Sequence, residues 1–136
     1  NALIPAEIKK DVAEKPENVI FAGFQPSGIL RDAYCGADAF AFFSYEETEG
    51  IVVLEALACE IPAIVRDIPV YEGWLKNEKE VYKAKDTDEF CEKLGKVFEN
   101  DVSTVKKAER KVACDKSLQK VGEQLQKLYS EIKKDA

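Results

Sequence analysis

Histidine is missing from all 136 residues of the chain. That absence removes metal–imidazole chemistry, any Ser–His or Cys–His nucleophile pair, and a histidine general base. Acid–base work must therefore fall to carboxylates, lysine, tyrosine or a group on another polypeptide segment. Cysteine is scarce and scattered, since Cys35, Cys59, Cys91 and Cys114 make no C-x-x-C pair. A zinc site would need three or four of these thiols to converge. The plainer expectation is four small buried hydrophobes in a reducing compartment, hence a cytoplasmic protein with no metal. No apolar run approaches the ~18 residues of a membrane span, and no charged-then-apolar signal segment opens the chain. The chain begins with Asn1 rather than Met, consistent with an excised or processed piece. Internal repeats and low-complexity segments are also missing.

What is present reads as ordinary globular protein. The chain is 46% hydrophobic and 34% charged, enough for one domain with a real core. Charge is uneven: residues 1–101 carry a net −10 and residues 102–136 a net +4. An acidic body argues against a nucleic-acid footprint. The basic tail holds two amphipathic stripes, Val105, Ala108 and Val112, then Leu118, Val121, Leu125, Leu128 and Ile132. The second stripe must pack against something, either the rest of the protein or a membrane surface.

Turn and period signals predict strand–helix alternation. A helix runs from Pro5 to about Lys15, a strand over Val19–Ala22, and a helix over Ile29–Cys35 closed by Gly36 at a C-cap. A buried strand follows at Ala39–Ser44, an apolar helix at Ile51–Cys59, and a strand at Ala63–Arg66. Tyr71–Leu75 is a short aromatic turn and Glu80–Ala84 a more polar strand near a sheet edge. Asp86-Thr87-Asp88-Glu89 then opens a helix through Phe98, its acids matching the helix dipole. The spacing implies an α/β, Rossmann-like parallel sheet with helices on both faces.

The most informative stretch is the turn between the strand at Ala39–Ser44 and the helix at Ile51–Cys59. Glu47 and Glu55 flank it with Gly50 between them. In an open α/β sheet such a turn lies at the carboxyl ends of the strands, where ligands bind. The helix start offers free N–H groups and a positive dipole end to an anion such as a diphosphate. Glu55, four residues into the helix, lies about 6 Å along the axis. If buried among Val53, Leu54, Ala56 and Leu57, it needs a partner or a polar site. Spacing alone leaves two readings open. Either the acids line a sugar and ribose site, or they form a helix-start cluster with Glu55 paired to a Lys or Arg. Arg66-Asp67, at the end of the third strand, reads as a surface salt bridge.

Glu47 and Glu55, with seven residues between them and Gly50 inside, resemble the Glu-x(7)-Glu motif of retaining glycosyltransferases with the two-domain GT-B fold. Three further stretches are similar to the nucleotide-sugar-binding domain of that family, in the same order: Asn18–Phe24, Tyr34–Asp38 and Ala58–Val65. The run Val65-Arg66-Asp67-Ile68-Pro69-Val70-Tyr71-Glu72 resembles the bacterial branch that glucosylates diacylglycerol. Where many relatives carry Gly-Phe-Gly after the first Glu, this chain has Thr48-Glu49-Gly50. The common Cys-Gly is Cys59-Glu60. The family's basic pair for the diphosphate and its amino-terminal histidine have no counterpart here.

The resemblance implies that Glu47 touches the donor sugar and acts at the catalytic position, while Glu55 accepts hydrogen bonds from the ribose. It further implies that Gly50, Ile51 and Val52 lend backbone N–H groups to the diphosphate, and that Phe24 and Gln25 border the nucleobase. Simple loop packing is the alternative for that last pair. The expected function is the donor-binding part of a hexosyltransferase, moving glucose from UDP-glucose to an acceptor such as diacylglycerol, with no metal. A nucleotide-binding or interaction module without transferase activity is the alternative. Residues 1–101 are expected to form the nucleotide-sugar domain, incomplete at its start, and the helices of 102–136 to pack on an amino-terminal domain outside this chain. The isolated chain is then expected to be inactive and to self-associate, with its basic tail drawn weakly to anionic membrane.

Overall fold

The run Ala63-Ile64-Val65 is apolar on both faces, as a strand covered on both sides must be. In the computed structural model, which describes residues 5–99 and 103–133, it is central in a three-stranded parallel sheet. The order is β1 (Phe40–Phe42), β2 (Ala63–Arg66), β3 (Tyr82–Ala84). Phe40 pairs with Ala63 and Ile64 with Tyr82. Six helices accompany it: α1 (Ala6–Ala13), α2 (Ser27–Gly36), α3 (Ile51–Ala58), α4 (Thr87–Glu99), α5 (Ser103–Asp115) and α6 (Leu118–Ile132).

The two-residue alternation of β2 divides the core. Ala63 and Val65 pack with Val53 and Leu57 of α3 and with Tyr71, Leu75 and Val81. Ile64 packs on the other face with Tyr82, Val97, Val105, Phe90 and Leu94. Helices therefore cover both faces. The α4 start is held as its acids foretell. Asp86 Oδ1 accepts from the Glu89 amide (2.9 Å), and Glu89 Oε2 accepts from that of Lys85 (2.9 Å).

The end of α3 is a Schellman motif, in which the Glu60 amide donates to Leu57 O (3.1 Å) and that of Ile61 to Ala56 O (3.3 Å). Such a motif puts the residue after the cap in the left-handed region, and Glu60 sits there at φ +59°. The preference for glycine at this position follows directly. Glu60 is held by Arg110, whose Nη1 lies 3.0 Å from its Oε1.

α5 belongs to this core. Val105 is buried with the α4 face, while Val112 and Ala113 pack against the α3 face. Between them Glu109 is fully buried, and its Oε1 accepts from the amide of Ala63 (3.3 Å), at the start of β2. The stripe of α6 is different: Leu118, Val121, Leu125, Leu128 and Ile132 all stay exposed. Ser117 caps this helix through the Lys120 amide.

Several expectations need correction. Val19–Ala22 forms no strand, and its side chains are exposed. A strand exists only in its ladder, and among the described residues no strand pairs with these four. Gly36 ends α2 inside the helix and the cap is Ala37 at φ −84°, so no left-handed glycine closes it. The cysteines are not buried. Cys35, Cys91 and Cys114, each on a helix, are exposed, and Cys59, the cap residue that ends α3, is half-buried. The structure begins β3 at Tyr82, with an isolated bridge joining Asn77 to Val81 just before it.

Candidate functional site around the β1–α3 turn

At the carboxyl end of β1, the loop from Phe43 to Gly50 leads into α3. Gly50 fixes its exit. It is buried at φ +70°, and a Cβ there would lie 2.8 Å from Tyr71 Cε1 and 3.2 Å from the Tyr71 hydroxyl. Backbone conformation and lack of space both demand glycine. Among the described residues no side chain caps α3. The Val53 and Leu54 amides donate back to Gly50 O at 2.9 and 3.2 Å. Those of Ile51 and Val52, the first two of the helix, have no such partner among the described residues.

The start of the loop is fixed by Arg66, at the end of β2. Its guanidinium carbon lies 3.7 Å from the Phe43 ring centroid and 3.9 Å from that of Tyr45. It also donates to Lys85 O at 2.9 Å and Phe43 O at 3.4 Å. This corrects the expected Arg66–Asp67 salt bridge. Asp67 instead faces Lys83 at 3.7 Å, because consecutive strand residues point to opposite faces. Arginine suits the slot between two rings because its charge is planar and weakly hydrated. Ser44 Oγ donates to Glu46 O (2.8 Å), tightening the bend.

Glu47 is half-buried and lines a cleft of about 290 Å³ with Tyr45, Glu46, Ile68, Pro69 and Val70. Tyr71, closing the 3-10 turn Pro69–Tyr71, lies beneath it. Burial pushes the Tyr71 phenol up to about 12, and the nearby negative charge of Glu47 pushes the same way.

Glu55 stands elsewhere. It lines a separate cleft of about 240 Å³ with Ser27, Leu30, Arg31, Tyr34, Ala58 and Cys59. It is exposed rather than buried, because α3 presents Val53, Ala56 and Leu57 to the core and turns this position toward α2. Its partner is neither Lys nor Arg. Tyr34 Oη donates to Glu55 Oε2 at 3.3 Å, while Arg31 pairs with Asp32 at 2.9 Å. Partial burial raises the Tyr34 phenol, with the charge of Glu55 next in effect. Burial raises the Cys59 thiol, and neighbouring Cys35 and then Glu55 add to it. Phe24 is almost wholly exposed, so it is not packed loop. It lines a third cleft with Gln25, Ala22, Gly23, Ile29 and Ala33, adjoining the Glu55 cleft through Leu30.

The candidate residues thus fall into two groups, Glu47 with Gly50 at the turn, and Glu55 with Phe24 and Gln25 along α2. Tyr34, Arg66 and Tyr71 were not among the expected site residues. Arg66 had a signal in its place at a strand's carboxyl end, whereas Tyr34 and Tyr71 were marked only by lying in stretches similar to the family, with no role attached. Among the described residues no three Cys, Asp or Glu side chains are grouped to hold a metal ion.

Comparison with known proteins bears on the family of the chain. The family described as Glycosyl transferases group 1 matches residues 8–116, from α1 through the end of α5. The chain is 41% identical over 125 residues to the processive diacylglycerol alpha-glucosyltransferase of Acholeplasma laidlawii, covering 92% of this chain and 38% of that protein. It is 39% identical over 57 residues to the alpha-galactosylglucosyldiacylglycerol synthase of Streptococcus pneumoniae (strain ATCC BAA-255 / R6), covering 42% of this chain and 15% of that one. The chain therefore spans well under half the length of these relatives. With the family's profile running over most of its residues, the chain belongs to the glycosyl transferases group 1 family.

Proposed function

We propose that this chain is the donor-binding part of a retaining hexosyltransferase that moves glucose from UDP-glucose to diacylglycerol. The observation that carries the reading is the 41% identity, over 92% of this chain, to a protein named as a diacylglycerol alpha-glucosyltransferase. In such a transfer the bond from C1 of the sugar to the diphosphate oxygen breaks. A bond from C1 to the acceptor oxygen forms on the same face, and the acceptor proton passes to the departing diphosphate. No electron donor is required, so the protein's task is positioning and charge stabilisation.

The first-turn amides of Ile51 and Val52, with Gly50 beside them, face the diphosphate. Glu47 turns away from it and accepts hydrogen bonds from sugar hydroxyls. Glu55 accepts from the ribose diol, and Phe24 with Gln25 borders the base. The basic residues that neutralise the diphosphate, and the acceptor site, come from the remainder of the protein. Among the described residues no helix is long and apolar enough to cross a membrane. The reading places the enzyme on the inner membrane face as a peripheral protein, its +4 carboxy-terminal segment attracted to anionic lipid.

The test is a donor and acceptor screen on the full-length protein, with the product anomer read by NMR. Transfer from UDP-glucose with retention, lost at least roughly a hundredfold in Glu47→Gln, is the expected result. Binding of UDP-glucose with no transfer to any acceptor would instead make the protein a nucleotide-binding module.

A further inference from the structure

Tyr71 occupies a place where phenylalanine would pack equally well. Its side chain is 1% exposed, its ring meets Trp74 edge-on at 5.9 Å, and its edge fills the space that only a glycine at 50 leaves open. Its hydroxyl is buried with no hydrogen-bond partner among the described residues. A buried donor left unsatisfied lowers stability, so an unpaired phenol in a core is a place to look for function.

The surroundings say which function. The hydroxyl lies against Gly50, directly under the loop that carries Glu47. The residues just before it, Ile68, Pro69 and Val70, form the wall of the cleft facing Tyr45, Glu46 and Glu47. Among the described residues no ion pair or side-chain partner fixes the rotamer of Glu47, and its charge favours the protonated form of the Tyr71 phenol. A protonated phenol beside a carboxylate that must hold one orientation is a donor and an acceptor awaiting each other.

We infer that Tyr71 is a positioning residue for Glu47: with a sugar in the cleft between residues 45–47 and 68–70, its hydroxyl donates to the Glu47 carboxylate and holds it in the orientation that receives the sugar hydroxyls. This deepens the proposed function and rests on its assignment of Glu47. Empty of sugar, the carboxylate prefers water, and the phenol stays unpaired. Occupied, the cleft sheds that water and the pair closes. Held in that orientation, the carboxylate keeps the sugar aligned for the transition state, where alignment counts most, so the contribution is expected in kcat more than in donor KM.

The experiment uses the full-length enzyme with UDP-glucose, and compares wild type, Tyr71→Phe, Glu47→Gln and the double variant. Tyr71→Phe is expected to lower kcat roughly ten- to a hundredfold, the effect of losing one hydrogen bond to a charged group, with donor KM changed less than about threefold. Its melting temperature should equal or exceed that of wild type, because a buried unpaired hydroxyl has gone. In the Glu47→Gln background, Tyr71→Phe should cost little further, as two residues acting as a unit are not additive. Wild-type kcat in Tyr71→Phe alongside a crippled Glu47→Gln overturns the inference and leaves the reading of Glu47 standing. Full activity in Glu47→Gln overturns that reading itself. A large fall in melting temperature for Tyr71→Phe, or an undiminished penalty in the double variant, makes the hydroxyl a structural or independent group and also overturns the inference.

Discussion

Replacing Gly50 with alanine tests the geometry of the turn directly. Two costs add. Holding an L-residue in the left-handed region costs about 1–2 kcal/mol. The new methyl would lie 2.8 Å from Tyr71 Cε1, and Tyr71 is fixed in the core against Trp74. Overpacking of that kind costs about 1–3 kcal/mol. Together they predict a loss of roughly 2–5 kcal/mol, a large part of the 5–15 kcal/mol typical of a domain. Gly73 is the control, since it has φ +81° but nothing within 4 Å of its would-be Cβ. Gly73→Ala should cost only the backbone term, about 1–2 kcal/mol. Urea unfolding of the two variants, followed by circular dichroism, measures the difference. Equal losses, or a Gly50→Ala variant as stable as wild type, would refute the packing of Tyr71 beneath the turn.

Other outcomes are equally definite. Glu55→Ala should weaken UDP binding in the full-length enzyme by about 1–3 kcal/mol, read by titration calorimetry. Because Glu55 is exposed, the melting temperature should hardly move. Glu109→Leu should destabilise the chain by about 1–3 kcal/mol, since it strips the Ala63 amide of its buried acceptor; an unchanged urea midpoint would contradict that role. Glu60→Gly should stabilise by up to about 1 kcal/mol, because relief at φ +59° exceeds the loss of one exposed ion pair with Arg110. Light scattering on this chain should show self-association through the α6 stripe, and Leu125→Glu should abolish it without loss of fold. Unfolding by that variant would mean that α6 packs on its own domain.

What was legible in the residues was whatever local chemistry decides. Ala63–Arg66 could be read as a buried strand because both faces are apolar, and the start of α4 because Asp86 and Glu89 are placed to cap it. The turn glycine announced the start of α3. What depends on a distant partner was not legible. Val19–Ala22 has a strand's composition, but a strand exists only in its ladder. The apolar flanks of Glu55 suggested burial, yet helix periodicity cannot say which side another helix covers. The unpaired hydroxyl of Tyr71 has meaning only because the chain brings Gly50 above it. Of the site, the two carboxylates and the turn were readable, whereas the aromatic bracket around Arg66 came from packing between β1 and β2.

The buried Glu109 has a consequence for how the protein is made. Its carboxylate completes the first amide of β2 from 46 positions later in the chain, on a helix that contributes Val105 to one face of the sheet and Val112 to the other. Chains emerge from the ribosome amino end first, at about 5–20 residues per second. For several seconds after β2 is outside, its entry amide, and the apolar surface that Val105 and Val112 will cover, wait for a helix not yet synthesised. β1, β2 and β3 thus emerge as a sheet unsealed at one end, and the arrival of α5 is the event that locks it. A translational pause before residue 105 would prolong that open interval, and one after residue 113 would not.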